Sequence, residues 1–407
     1  MSAIEGRVGA RATWAAVMTV LLFAAGCSTL DGPARSEAEA PAQASTATAA
    51  QTDRTPAQQP VLQPEAPVQA QSSQTPAQVE SAKVPSTRTS SPRVKGAVIA
   101  PDTADKAVAP PAAGNRSGVA QVQRVALLPN TVLETSGLAQ IEGRLWTLND
   151  SGDDAAIYQL SSDGRRIAKT LYLAGARNID WESLALDADT LYIADCGNNR
   201  GRRATLQLYR VALDALSAPD GSRVEYEVSH FRYGHRLEVS ASASHNFDCE
   251  AITVVGDELW LFSKNRGDGH TELYRLDKQA REQALYPYRT YPVNGLITAA
   301  DYDPVSRRLV LLGYSRERFF GHSFIWIIPL SNNGDGAQKL APEWSGAQRY
   351  KLSTYAQWEA ISWDGSHRLV LSAERSPLSD AQLGEIRLDA QGLPLAPEAD
   401  PDDASFW

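Results

Sequence analysis

Aromatic side chains are missing from a long N-terminal stretch of this chain: residues 28 to 120 contain no Phe, Trp or Tyr. Ala, Pro, Gln, Ser and Thr with scattered charge fill it instead. Such a composition cannot bury enough apolar surface to offset the entropy of ordering the chain. A disordered tether is therefore expected, with a root-mean-square span on the order of 50 Å for about 90 flexible residues. An excess of basic charge is missing as well. The formal net charge is -9, and no basic stripe carries interleaved aromatics, which argues against a nucleic-acid role driven by phosphate neutralisation. Several catalytic signatures are absent too: the sequence has no Gly-x-Ser-x-Gly elbow, no His-Glu-x-x-His and no phosphate loop. The six histidines show no paired ligand spacing. His245 and His270 fall in loops and read as solvated rather than as acid–base groups. No segment beyond the first 27 residues is apolar for long enough to span a membrane as a helix.

The N-terminus carries an address. Arg7 and Arg11 precede an apolar run from Trp14 to Ala25, shorter than the roughly 20 residues that cross a bilayer and suited to a signal-peptide core. The run ends in Phe23-Ala-Ala-Gly-Cys27, which resembles the bacterial lipobox, with Ala24 where that motif usually has Leu. The resemblance implies a signal peptide over 1–26, cleavage before Cys27, and diacylation (palmitate-type chains) of Cys27 with acylation of the new amino terminus. Several acyl chains on one residue give stable anchoring. Ser28 after the cysteine implies delivery to the outer membrane, facing the periplasm or the surface. An ordinary secretory signal is the alternative.

From about Gln121 to 395 the composition changes. All the tyrosines and every tryptophan except Trp14 and Trp407 lie here, and this length can form one domain with a substantial core. Residues 396–407 read as an acidic tail. A pattern organises the domain. Within Asp180-Trp-Glu-Ser-Leu-Ala-Leu186, Glu182 to Leu186 is a short strand, Asp187 to Asp189 a polar turn, and Thr190 to Ala194 a second strand. It recurs at Asp248-Cys-Glu-Ala-Ile-Thr-Val254 with Glu258 to Ser263, and at Gln357-Trp-Glu-Ala-Ile-Ser-Trp363 with Arg368 to Ala373. Weaker copies start at Ser136 and Ala300. A hairpin repeated every 50 to 70 residues indicates a radial all-β architecture, a β-propeller. Third strands follow at Ala156–Leu160, Leu206–Arg210, Glu272–Leu276, Phe324–Ile328 and Gly384–Leu388, and fourth strands at Ala168–Leu173, Val224–Val228, Tyr288–Tyr291 and Gln348–Leu352. The last repeat lacks a fourth strand, and Val122–Leu128 lacks a repeat. Inserting that N-terminal strand into the last blade closes the ring without an open sheet edge. Five blades result. Six is the alternative, because the interval from Glu182 to Glu250 has room for extra strands.

The hairpin geometry places the start of each first strand and the loop after each second strand on one face. Glu182, Glu250 and Glu359 begin three inner strands, Ser136 has that position in the first repeat, and Asp301 sits one position off it. The loops add Asn149, Asp150, Asp195, Asn198, Asn199, Lys264, Asn265, Arg316, Glu374 and Arg375. Converging carboxylates require a cation, Lys or Arg partners, or shared protons. Alternatively, each Glu accepts hydrogen bonds from the neighbouring blade's backbone and sets the blade register. The Asp-rich run from Asn149 to Asp154 is either a calcium loop or a turn with Asx hydrogen bonds. Cys196 follows a second strand and Cys249 precedes the next inner strand on the same face. In an oxidising compartment this predicts a Cys196–Cys249 disulfide, with two free buried thiols as the alternative. The Arg266-Gly-Asp268 tripeptide reads as coincidence, and the tryptophans as packing between blades.

The Asp-Trp-Glu strand start, the Asn-Asp-Ser-Gly loop at 149 to 152 and the Asp-x-Gly-Asn-Asn loop at 195 to 199 are similar to those of bacterial propellers of the gluconolactonase-like, SdiA-regulated-like and esterase-like phytase types. The resemblance implies a divalent metal, calcium or another, held at strand starts. Glu182, Glu250 and Asp301 are the matching positions, with Glu359 and Asn199 as further candidates. This sequence does not reproduce the full ligand set of the gluconolactonase-like group. Two functional expectations follow. The first is an envelope lipoprotein whose propeller binds a polar ligand or a protein partner as a scaffold. The second is a metal-dependent hydrolase of the lactonase, phosphoesterase or phytase kind.

Overall fold

The computed structural model describes residues 117–317, 321–332 and 339–395. The expected signal peptide, Cys27, most of the tether and the acidic tail lie outside these described residues.

Five sheets stand in a ring, each with its first strand on the axis, and each inner strand packs against the inner strands of the two neighbouring blades. The inner strands are Thr135–Ile141, Trp181–Leu186, Cys249–Val255, Leu296–Asp303 and Gln357–Trp363, in blades 1 to 5. Their partners, Arg144–Asn149, Thr190–Asp195, Glu258–Ser263, Arg308–Tyr314 and Arg368–Glu374, pair antiparallel to them. In blade 1 the hairpin closes through Glu142 (φ 50°) and Gly143 (φ 72°). Two residues in the left-handed region match the twist of the flanking strands. The ring closes as the sequence predicts, with Gln123–Leu127 pairing antiparallel to Gln382–Arg387 as the outer strand of blade 5.

Two expectations are corrected. Val224–Val228 is not one strand. Arg223–Val224 runs parallel to the outer strand of blade 1, and Glu227–Tyr233 forms the outer strand of blade 2. Folded chain also begins earlier than Gln121, because Ser117–Ala120 runs parallel to the outer strand of blade 4. Both corrections express one rule. The segment preceding an outer strand caps the edge of the previous blade, as Glu282–Leu285 does for blade 2. Unpaired edge N–H and C=O groups invite aggregation, so such caps protect the rim. Two-residue and four-residue parallel pairings carry too little periodicity to be seen in sequence.

Each of the five seams between blades holds its own apolar cluster. Trp146, Trp181, Trp260 and Trp358 are buried in these seams, which bears out their packing role. The seam between blades 2 and 3 is also stapled covalently. Cys196 and Cys249 form a disulfide with their Cα atoms 5.4 Å apart and a sequence separation of 53.

The double variant Cys196→Ser/Cys249→Ser is expected to lose roughly 4 kcal/mol of stability, the chain-entropy value for a loop of this length. Urea denaturation of oxidised and variant protein measures the difference. Coincident curves would mean that the seam is held by its apolar cluster alone.

Candidate functional site: the acidic mouth

Every inner strand carries a register break near its start, between Thr135 and Gly137, Trp181 and Ser183, Cys249 and Ala251, Ile297 and Ala299, and Trp358 and Ala360. A bulge inserts one unpaired residue and re-aims its side chain. The five bulged residues are Ser136, Glu182, Glu250, Thr298 and Glu359. On the axis of a ring they form the wall of one mouth.

The two hydroxyl residues staple blades together. Ser136 Oγ donates to Trp181 O at 2.8 Å, and Thr298 Oγ1 to Trp358 O at 3.1 Å. The three glutamates instead face charged groups. Glu250 Oε2 lies 3.0 Å from Lys264 Nζ, and Glu359 Oε2 lies 4.0 Å from it. Lys264 is 5 % exposed and stands 5.2 Å from the ring centre of Tyr314. Burial opposes its charge, but Glu250, Tyr314 and Glu359 outweigh that and hold its pKa well above the ordinary lysine value. Arg266 Nε binds Asp248 Oδ2 at 2.8 Å, and its guanidinium also reaches Asn199 Oδ1 and, at 3.7 Å, Glu250.

Compensation is weaker on the other side, where Lys264 and Arg203 act on the carboxylates only at longer range. One carboxylate oxygen each from Asp150, Asp180 and Glu182 lies within 4.8 Å of the other two. Glu182 is 4 % exposed, and its Oε1 has no hydrogen-bond partner. Desolvation, then the carboxylates of Glu250, Asp150 and Asp180, raise its pKa well above the usual range. Burial and neighbouring Asp150 push Asp180 up to about 7. Burial together with Glu359 pushes Glu374 up to about 9, while its Oε2 accepts from Gln357 Nε2 at 2.7 Å. A Cβ on Gly197 would stand 2.1 Å from Glu182 Oε1 and 2.5 Å from Asp180. Only glycine lets the loop after the second strand of blade 2 cross the cluster so closely, and this is the physical content of the Asp-Cys-Gly-Asn-Asn run.

Several predicted site residues support loops rather than facing the axis. Asp195 is fully buried and paired with Arg203 at 2.8 Å. The N–H of Asn198 donates to Asp248 Oδ1, and its side chain accepts from Arg203 N and donates to Phe247 O. Asn149 donates to Thr131 O and to Asp153 Oδ2, so the Asp-rich run at 149–154 is an Asx-type network except for Asp150. Asn265 accepts from Ser263 Oγ and leaves its buried Nδ2 unpartnered. Arg316 donates to the backbone of Arg266 and Gly267, and Arg375 is exposed at the rim.

Asp301 is not in the mouth. Thr298 has the bulged position in blade 4, and Asp301 lies further along the strand, toward the hairpin end. Its carboxylate accepts from Trp363 N (2.8 Å), Tyr302 N (2.9 Å), Ser362 Oγ (3.3 Å) and Thr253 Oγ1 (3.4 Å), tying blades 3, 4 and 5 together. Matching repeats by acidity rather than by the bulge causes the displacement. Asp180, Asp248 and Arg266 belong to the mouth and are absent from the predicted set. Asp180 and Asp248 each precede a bulged Glu by two residues, and Arg266 follows Lys264 by two, so the repeat alignment itself contains the signal.

No family model matches this chain, and no curated protein matches it. Solved structures share its general arrangement at low identity. The endo-arabinanase of Bacillus licheniformis aligns with 67% of this chain and 99% of its own, at 14% identity and a TM-score of 0.41. An exo-beta-1,3-galactanase of Phanerochaete chrysosporium aligns with 68% of this chain and 66% of its own, at 12% identity and a TM-score of 0.42. The hydrazine synthase of Kuenenia stuttgartiensis aligns with 61% of this chain and 78% of its own, at 9% identity and a TM-score of 0.32. Likeness at this level extends to neither site nor substrate. Fold and site together define the class: a five-bladed β-propeller with a buried, partly compensated carboxylate mouth.

Because the folded-state pKa of Glu374, about 9, lies above its ordinary 4.5, the folded protein keeps a proton that the unfolded chain has released. Its contribution to stability is whole below the ordinary value and is lost as pH rises toward the folded one. Denaturation midpoints in chelator are expected to fall between these pH limits, and Glu374→Gln, uncharged throughout, to flatten the fall. An unchanged slope in the variant would show that Glu374 is ionised in the folded state.

Proposed function

We propose that this protein is a ligand-binding module of the cell envelope, whose propeller mouth takes a hard divalent cation, calcium foremost, on Asp150, Asp180 and Glu182. The observation that carries the reading is Glu182 Oε1, buried and without a donor beside two further carboxylates. Lys264 and Arg266 compensate Glu250 and Asp248, which leaves the blade 2 side of the mouth as the place for an added charge. All three groups there are carboxylates, the ligand type that calcium prefers. A bound cation would supply a positive centre for a polar or anionic ligand at the mouth. The chain's own part is to hold the carboxylates in place. Asn178 Nδ2 donates to Asn149 O and Asp150 O, and its Oδ1 accepts Trp181 N–H, tying the Asp150 loop to the strand that carries Glu182.

The hydrolase reading shares these residues but also needs room for a substrate. A cavity lies at the opposite end of the axis, walled by Leu184, Asp301 and Trp363, and binding is the preferred reading because the unpartnered carboxylates carry it by themselves. Anchorage to the outer membrane rests on the Phe23-Ala-Ala-Gly-Cys27 motif and Ser28. Labelled palmitate is expected to enter the protein in cells and to be lost in Cys27→Ser. A variant still labelled would place the lipid elsewhere.

Calorimetric titration of chelator-treated protein with calcium tests the mouth. One equivalent is expected to bind, with a rise in melting temperature that chelator reverses and that Glu182→Gln removes. No heat and no shift would leave shared protons as the compensation. A screen of ester, lactone and phosphoester substrates separates the hydrolase, since turnover abolished by chelator would displace the binding-module reading.

A further inference from the structure

At the end of the axis away from the carboxylate mouth lies a cavity of about 470 Å³, walled by Leu138 and Gln140 of blade 1, Leu184 of blade 2, Val254 of blade 3, Asp301 of blade 4 and Trp363 of blade 5. Sites for small organic molecules have this size and this mixture of apolar walls with few polar groups. Three carboxylates border the cavity, Asp187, Asp301 and Asp303, and no Lys, Arg or His is among its lining residues.

The three acids are not equivalent. Asp187 is neutralised by Lys278 at 2.6 Å. Asp303 is held in its turn by the N–H groups of Val305 and Ser306 and by Ser366 Oγ. Asp301 receives four hydrogen bonds, all from neutral donors, and makes no ion pair among the described residues. Burial pushes its pKa up to about 6, so near neutral pH it carries a charge that no side chain balances. Gln140 donates through Nε2 to Asp364 at 3.2 Å, and its Oε1 has no partner. The cavity thus offers an uncompensated anion and apolar walls that include an indole. Its complement is a cation with N–H donors on an apolar body.

We propose that this axial cavity binds a small organic cation, a protonated amine on an apolar body, with the ammonium against Asp301 and the body against Leu138, Leu184, Val254 and Trp363. The site is independent of the mouth, so the two readings fail separately.

The test uses the full chain at neutral pH with chelator present, which silences the mouth. Phenethylamine is compared with its neutral counterpart phenethyl alcohol by calorimetry and saturation-transfer NMR. The amine is expected to bind at least about tenfold more tightly than the alcohol. Ala188→Trp, at an exposed rim position, is expected to block both probes. Asp301→Asn is expected to abolish the preference. Because Asp301 also ties three blades, Ala188→Trp carries the test if Asp301→Asn does not fold. Failure of the amine to bind, equal binding of amine and alcohol, or binding that survives Ala188→Trp would overturn the proposal. So would binding lost in Glu182→Gln, since it would place the amine in the mouth.

Discussion

Five strands meeting on one axis leave little space between them, and the chemistry of this protein follows from that constraint. Each inner strand bends at a bulge where the mouth begins. The extra residue there has no ladder position to fill and must find its partner across the axis. Two of the five partners are backbone carbonyls of the next blade, reached by Ser136 and Thr298. The remaining three are glutamates buried at 3 to 6 % exposure. Buried carboxylates cost free energy unless they are paired, protonated or ligated. Charge compensation is therefore the condition on which the mouth can exist, and it is met unevenly around the ring.

Lys264 supplies compensation from within. It lies at the end of the second strand of blade 3, close to Glu250 and Glu359, and acts as a tethered cation on the axis. An ion pair of this kind adds little net stability over an apolar substitute, while losing one partner strands the other and costs about 3–5 kcal/mol. Such an arrangement selects one register of the blades more than it strengthens the ring. On the blade 2 side no basic side chain among the described residues makes an ion pair with Asp150, Asp180 or Glu182, and these three face one another. The disulfide between Cys196 and Cys249 lies at the boundary of the two halves, next to Gly197, Asp248 and Glu250. A reducible bond thus lies within one or two residues of both halves of the mouth.

The opposite end of the axis shows another solution to the same problem. Asp301 satisfies its oxygens with N–H and hydroxyl donors from three blades, so hydrogen bonding is complete while charge is not. Hydrogen bonds from neutral groups stabilise a carboxylate but do not neutralise it. The mouth is thus compensated in part by Lys264 and Arg266, while Asp301 at the other end is met by neutral donors alone.

Much of the fold is legible in the sequence because it is written in short-range pattern. Alternation over five to seven residues, the polar turns and the repeat spacing are local, and the side-chain period of a strand makes them readable one segment at a time. The blade count, the closing strand and the Cys196–Cys249 bridge all follow from that pattern. The parallel caps at Arg223–Val224 and Ser117–Ala120 do not, because two or four residues have no period of their own and their partners lie in another blade. The site divides in the same way. Glu182, Glu250, Glu359 and Lys264 could be placed at one mouth from hairpin geometry alone. Asp301 could not be separated from them, because a displacement of three residues along a strand changes the end of the channel a side chain serves, and acidity carries no information about depth. Which carboxylate is answered by a lysine, which by a hydroxyl network and which by nothing depends on neighbours drawn from two or three blades. Only the closed ring brings those neighbours together, and so only the tertiary structure decides where charge is left over.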